Sequence, residues 1–178
     1  MIFGCDQSVS ENEETVAKEV ETFTYGEPGF RFSQFSDAAG EQIENWGVLH
    51  DLLEEIRKVE GSSYMNIRSR AENIRQYTDS VFNSTPEGLS VNPVISRMLI
   101  LKTRAELLFQ TSHLGTIDTA QIQQSIRSLN RATEHLILQL NEKALKDRIY
   151  MERRADEEKE RLSQVQFRDS VTKSKKND

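Results

Sequence analysis

The longest uninterrupted stretch of the sequence runs from Asp118 to about Gln164 and contains neither proline nor glycine. Such a run predicts one continuous helix, roughly 70 Å long at about 1.5 Å of rise per residue, about twice the width of a small domain. Its first half carries an apolar stripe at the spacing of bundle packing. The stripe consists of Ile122, Ile126, Leu129, Thr133, Leu136 and Leu140. Its second half is mostly charged, so we expect only the first half to pack inside a domain.

Three further amphipathic segments precede this run. The first is predicted to begin at the N-cap Ser36 and to continue to Gly61 as one helix. The second starts at Ser62 or Ser63. In the third, Asn92 is predicted to cap a helix that has Pro93 in its first turn, where a missing N–H costs nothing.

The third helix is apolar around much of its circumference, and we expect it to be the most buried element. Leu114 and Gly115 are predicted to stop it, and Asp118, with Gln121 three residues later, is predicted to cap the long helix. Four helices with short connections predict an all-α fold, an antiparallel up-down four-helix bundle whose C-terminal helix extends beyond it. The predicted parts are residues 1–35, a bundle over 36–141 and a charged helical extension with a tail over 142–178.

Composition favours the same class. Only 36% of residues are hydrophobic and 29% are charged, which suits amphipathic helices better than sheets. The net charge of -6 disfavours general nucleic-acid binding, which needs clustered Lys and Arg. No stretch approaches the roughly 18 apolar residues of a membrane-spanning helix.

The N-terminal string Ile2-Phe3-Gly4-Cys5 resembles the end of a bacterial lipoprotein signal peptide, in which an aliphatic residue at −3 and a small residue at −1 precede the lipidated cysteine. An acidic segment of low hydrophobicity follows, as in a flexible tether, and residues 1–22 carry a net charge of −5. The resemblance implies lipidation of Cys5 and a membrane-anchored protein of the bacterial cell envelope, facing the periplasm or the cell surface. The alternative is an ordinary free thiol.

An aromatic segment leads into the bundle from Phe23 to Phe35. Its glycines and its proline exclude a helix, and Phe30 and Phe32 alternate as in extended chain. The rings of Phe30, Phe32 and Phe35 could contact a protein partner, or the segment could lie across the bundle and bury them. The second reading is favoured because many exposed aromatic rings reduce solubility.

The charged half of the long helix also has two readings. Opposite charges lie one turn apart, namely Glu142 with Lys146, Arg153 with Glu157, Arg154 with Glu158, and Glu157 with Arg161, which supports an exposed helix. It is either a solvated extension or an arm that pairs with a partner protein or with itself through Leu145 and Ile149.

No pattern for catalysis, a cofactor or a metal is found. Glu-x-x-His pairs would mark a di-iron bundle, but none of His50, His113 and His135 follows a glutamate at that spacing. Zinc, phosphate-loop and nucleophile-elbow motifs are missing too. The sequence therefore predicts a non-enzymatic, lipid-anchored structural or interaction module with an unknown protein partner. The alternative is a soluble or periplasmic four-helix bundle domain that senses a ligand.

Overall fold

The computed structural model describes residues 23–174, and the side chains of residues 23–168. The predicted lipidation site Cys5 and the acidic tether lie outside the described residues. Residues 23–174 form five α-helices in succession. They are α1 (Asp37–Ile43), α2 (Gly47–Arg57), α3 (Tyr64–Asn83), α4 (Asn92–Ser112) and α5 (Thr119–Ser174), with a 3₁₀ turn at Glu87–Leu89 between α3 and α4. The described chain has no strand, so the predicted all-α class is confirmed.

The prediction of one helix from Ser36 to Gly61 is wrong, because the chain breaks between α1 and α2. Ser36 does cap α1, its Oγ accepting a hydrogen bond from the N–H of Ala39 at 3.3 Å. At the break, Trp46 leaves helical geometry, with φ −98° and ψ 62°. Its ring is buried, and Nε1 donates to Ser84 Oγ at 3.3 Å. The break lets α1 pack against α5 while α2 packs against α3.

Other predicted boundaries shift slightly. Val91, and not Asn92, is the N-cap of α4, and the helix ends at Ser112, just before the predicted stop at Leu114 and Gly115. The predicted cap of α5 is confirmed, since Asp118 Oδ1 accepts from the N–H of Gln121 at 2.9 Å. The helix extends to Ser174 and is therefore longer than the predicted run.

The apolar stripe of α5 lies at the centre of the core, where every member is buried. Helix α4 packs on α5, α3 on α4 and α2 on α3. The expectation that the third predicted helix is the most buried is wrong, because α4 leaves Leu99, Ile100 and Leu107 more than a third exposed. One face of α4 therefore stays in solvent despite its apolar residues.

Candidate partner-binding surfaces

The aromatic lead-in crosses the helices as an extended strap, which we define as residues 23–36. At its start, the N–H of Tyr25 donates to the Ser62 carbonyl at 2.9 Å, and the N–H of Gly61 donates to the Tyr25 carbonyl at 2.8 Å. The Tyr25 ring is buried, which raises the pKa of its hydroxyl through desolvation. The strap is thus fixed to the connection between α2 and α3.

Helix α5 holds the rest of the strap through one polar face. The Gln123 side-chain amide bonds both backbone groups of Gly26, and Asn130 Nδ2 donates to Glu27 Oε2 at 2.9 Å. Glu134 accepts from the N–H and the hydroxyl of Ser33.

Asn141 completes this row at the far end of the strap. Its Oδ1 accepts from the Ser36 N–H and its Nδ2 donates to the Gln34 carbonyl, both at 2.9 Å. Steps of seven, four and seven residues along α5 place the four strap-binding side chains on one helix face. The strap therefore runs along α5 from near its start towards Asn141. Sequence reasoning missed these partners, since their only local signal is a row of amides and an acid beside the core stripe.

The strap packs its rings partly inward. Phe32 and Phe35 are half-buried against the core, and Phe30 meets Phe32 edge to face with ring centroids 5.1 Å apart. These contacts favour the packing role for the segment, while contact of the three rings with a partner stays a prediction.

Two clefts open beside the strap. The first, of about 210 Å³, has a mixed lining. It comprises the apolar Phe30, Phe32, Ile56 and Val59, the charged Arg31, Arg57 and Glu60, and also Gly26 and Asn130. The second, a shallower depression of about 590 Å³, lies between the end of the strap, the start of α1 and α5. It is lined by Phe35, Asn141, Glu142, Leu145 and Arg148, among others. The fold thus brings together the predicted contact residues Phe35 and Leu145, which are far apart in the sequence.

The packed body ends at Asp147. Ala144 is the last buried residue of α5 among the side chains that the structure describes, which end at residue 168. Asp147 Oδ2 accepts from Gln42 Nε2 of α1 at 2.9 Å and from the Lys143 ammonium. The hydrogen bond from Lys143 and that from Gln42 lower the pKa of the Asp147 carboxyl below its ordinary value.

Residues 148–168, which we call the arm, are all exposed. Its surface carries intrahelical ion pairs, Arg148 with Glu152 at 3.9 Å and Arg153 with Glu157 at 3.6 Å. Arg161 pairs with Glu158 at 2.6 Å, in place of the predicted Glu157. That hydrogen bond lowers the pKa of Glu158. The predicted pair of Glu142 and Lys146 forms just before the arm.

The arm continues the core-facing stripe of α5 into solvent. Ala144 is followed at steps of seven, four, seven and three residues by Met151, Ala155, Leu162 and Val165, which we call the seam. Met151 is 63% exposed, Leu162 52% and Val165 38%. A face that is buried inside the body is thus left uncovered along the arm, as far as the described residues go.

The predicted contacts Leu145 and Ile149 lie elsewhere. With 3.6 residues per turn, Ile149 falls on the far side of α5 from the seam, and Leu145 lies between that side and the seam, near the line of Leu138. Leu145 is 45% exposed and Ile149 54%. The exposed apolar residues near the end of the body therefore include two that are not part of the seam: Leu145, just before the arm, and Ile149, at its start.

Two of the three histidines lie against backbone carbonyls. His50 Nε2 lies 3.3 Å from the Ile43 carbonyl and His113 Nδ1 lies 2.8 Å from the Phe109 carbonyl, so both rings are engaged with backbone. No group of three or more His, Cys, Asp or Glu among residues 23–168 could hold a metal ion. Among the helices of the described chain, none has the length and apolarity needed to cross a bilayer.

Comparison with protein-family models, curated proteins and solved structures finds no match to the chain.

Proposed function

We propose that this chain is a non-enzymatic interaction module of the bacterial cell envelope, anchored through Cys5 and using its arm as the binding element. The observation that carries the proposal is the seam, a core-type apolar face that continues past the body with no cover among the described residues. An exposed helix bearing such a face is a known mode of protein recognition, in which apolar anchors spaced along the helix enter a partner's surface.

The proposed body is an up-down four-helix bundle in which α1 and α2 together take the place of the first of the four helices. Support comes from the packing of successive helices on each other and from the contact of α1 with α5, which would close the ring. The connections between helices are short, as antiparallel neighbours require.

The anchor and the arm would work at opposite ends of this body. The strap begins at Phe23, close to the start of α5, because Gly26 is bonded to Gln123. The arm leaves the body after Asp147, at the other end of the packed part of α5. A lipid on Cys5 would therefore be connected through residues 6–22 to the end of the body from which the arm points away.

Ligand sensing is the less supported alternative. The first cleft, at about 210 Å³, is smaller than the roughly 300–1,000 Å³ of typical ligand sites, and the second is wide and shallow. A sensor should gain thermal stability from its ligand, so a raised melting temperature in a metabolite screen would favour this alternative.

The arm's role can be tested by site-specific photo-crosslinking in the bacterium that encodes the chain. A probe replacing Met151 should form a specific adduct with one protein, whereas a probe replacing Ser96, exposed on α4, should not. Equal labelling from both positions, or none from Met151, would reject the arm as the binding element.

The anchor needs a separate test. The reading frame upstream of Met1 should encode a basic start and an apolar stretch, and the resulting protein should sediment with membranes. Cys5→Ser should move it to the soluble fraction of the envelope. An unchanged distribution of Cys5→Ser would exclude lipidation.

A further inference from the structure

We infer that the arm pairs with the arm of a second copy of this chain, as an antiparallel two-stranded coiled coil. The inference rests on the proposed function, because it names the occupant of the arm. Three observations carry it: the spacing of the seam, the near balance of charge on the arm, and the signs of the charges beside the seam.

The seam has coiled-coil spacing. Met151, Ala155, Glu158, Leu162 and Val165 follow each other at alternating steps of four and three residues, the a and d pattern of paired helices. With Arg148, three residues before Met151, the pattern spans 18 residues, about two and a half heptads, slightly less than the three heptads at which such a pattern indicates a coiled coil by itself. Arg148 and Glu158 occupy the two charged positions of this pattern, and the seam residues occupy the other four.

The net charge of the arm permits self-association. Six basic and five acidic side chains lie between residues 148 and 168, so the arm carries only +1. Two copies would therefore bring no strong net repulsion to an interface between them.

The charges beside the seam favour one relative orientation of the two arms over the other. On one flank lie Glu152 and Lys159, and on the other Arg154 and Arg161. In a parallel pair the two flanks of different copies face each other, which would set Arg154 against Lys159 of the second copy and Asp147 against its Glu152. A parallel pair therefore meets like charges along both flanks.

In an antiparallel pair, each flank of one copy faces the same flank of the second copy. Glu152 then lies opposite Lys159 of the second copy, and the symmetry repeats this attractive pair. Arg154 approaches Arg161 of the second copy, but that guanidinium already binds Glu158 at 2.6 Å, so the contact becomes a group of two arginines around one carboxylate.

The alignment that sets Glu152 opposite Lys159 also sets the apolar residues of the two seams opposite each other. Leu162 of each copy packs on Met151 of the other, and the stem of Arg148 covers Val165. Ala155 faces Glu158, where its small side chain leaves room for the carboxylate to reach Arg154. The pairs along the seam run from Arg148 opposite Val165 to Val165 opposite Arg148, so they lie within the arm.

The first test is sedimentation equilibrium of the purified Cys5→Ser chain, full length and ended after Arg148. The full-length chain should reach the mass of a dimer as its concentration rises, and the shortened chain should remain a monomer. A full-length monomer at millimolar concentration, or a dimer that survives the truncation, would overturn the inference.

Charge reversal tests the orientation. Glu152→Lys should raise the dimer dissociation constant about tenfold, because it turns two attractive pairs into repulsive ones, and adding Lys159→Glu should restore it. In a parallel dimer Glu152→Lys would instead tighten association, since position 152 would then face Asp147. Glu157→Lys is the matched control, because it removes a similar intrahelical pair, with Arg153, but points away from the seam. It should leave the dissociation constant unchanged.

Disulfide trapping gives an independent reading. In the Cys5→Ser background, differently sized Met151→Cys and Leu162→Cys chains should cross-link to each other when mixed. Cross-links confined to chains of the same kind would indicate parallel pairing and refute the proposed orientation. A monomeric purified chain whose Met151 probe captures a different protein in cells would refute self-pairing and leave the proposed function standing, whereas failure of both experiments would reject the two together.

Discussion

Gly26 is the residue at which the backbone of the strap most needs glycine. Its backbone φ of +124° is one that residues other than glycine rarely adopt, and an added Cβ would lie 2.9 Å from Glu60 Cα. Its N–H and carbonyl also engage Gln123, so the turn cannot relax without losing bonds to α5.

We expect Gly26→Ala to destabilise the fold by about 2 kcal/mol or more, through strain and steric overlap together. Gly29→Ala is the matched control, because Gly29 also has a positive φ, +83°, but open space around the added Cβ. It should cost about 1 kcal/mol. Urea unfolding of the three proteins measures the differences, and equal effects of the two substitutions would show that contact with Glu60 is unimportant.

The ionisation of the Asp147 carboxyl should make the free energy of unfolding depend on pH. The bond from Lys143 lowers its pKa below the ordinary 3.8, so the folded state favours the ionised carboxyl. That contribution is complete above the unfolded value and is lost as the pH falls through the lower folded value. Asp147→Asn should therefore reduce the melting temperature at neutral pH, with a difference that shrinks below about pH 4.

Thermal melts across that range test the role of Asp147. Asp156→Asn, which alters an exposed carboxyl of the arm, should follow the unchanged protein at every pH. An Asp147→Asn difference that persists undiminished in acid would mean that the carboxylate charge is not what stabilises the junction between α1 and α5.

At the scale of elements, the strap depends on side chains of α5 that are about a hundred residues away in sequence. Asn141→Ala should cost about 1 kcal/mol by leaving the Ser36 N–H and the Gln34 carbonyl without their partner. Backbone amides of residues 33–36 should exchange faster with solvent. Gln124→Ala, on a solvent-facing side of the same helix, should change neither property, and a similar effect from it would count against a specific clamp.

The arm should be dispensable for the body. The side chains of residues 149–168 are exposed, and the ion pairs among them are solvent-exposed. A chain ended after Arg148 should melt within about 2 °C of the full-length protein while losing helical signal in proportion to its length. A clearly lower melting temperature would show that the arm supports the core.

Periodicity predicted the helical class, the buried stripe from Ile122 to Leu140 and the cap at Asp118, because these depend on residues within a few turns of each other. It could not predict the break at Trp46, which depends on burial of that ring and a hydrogen bond to Ser84. The strap's partners and the meeting of Phe35 with Leu145 were hidden for the same reason, since only the fold brings them together.

Periodicity alone could have predicted the seam, but the predicted contacts Leu145 and Ile149 do not belong to it. Polar residues interrupt the stripe around Arg148 and Glu158, which hides its continuation along the arm in the sequence. Only the end of burial at Ala144 shows where the core-facing positions become surface, and that point depends on the lengths of the neighbouring helices.

At the scale of the whole molecule, the described chain enters and leaves the packed body at opposite ends. The strap brings the chain in beside the start of α5, and α5 carries it out past the other end as the arm. In the proposed envelope protein, this polarity holds the seam away from the anchored end, where it is accessible to another arm.

A single distance tests that polarity most directly. Spin labels on Phe23→Cys and Ser163→Cys, in the Cys5→Ser background, mark the start of the strap and the middle of the arm. Because Gly26 is fixed beside Gln123, one straight α5 predicts a separation of about 60 Å, which pulsed electron paramagnetic resonance can measure at protein concentrations too low for pairing. A separation of about 20 Å would mean that the arm folds back along the body and covers its seam, which would contradict the account.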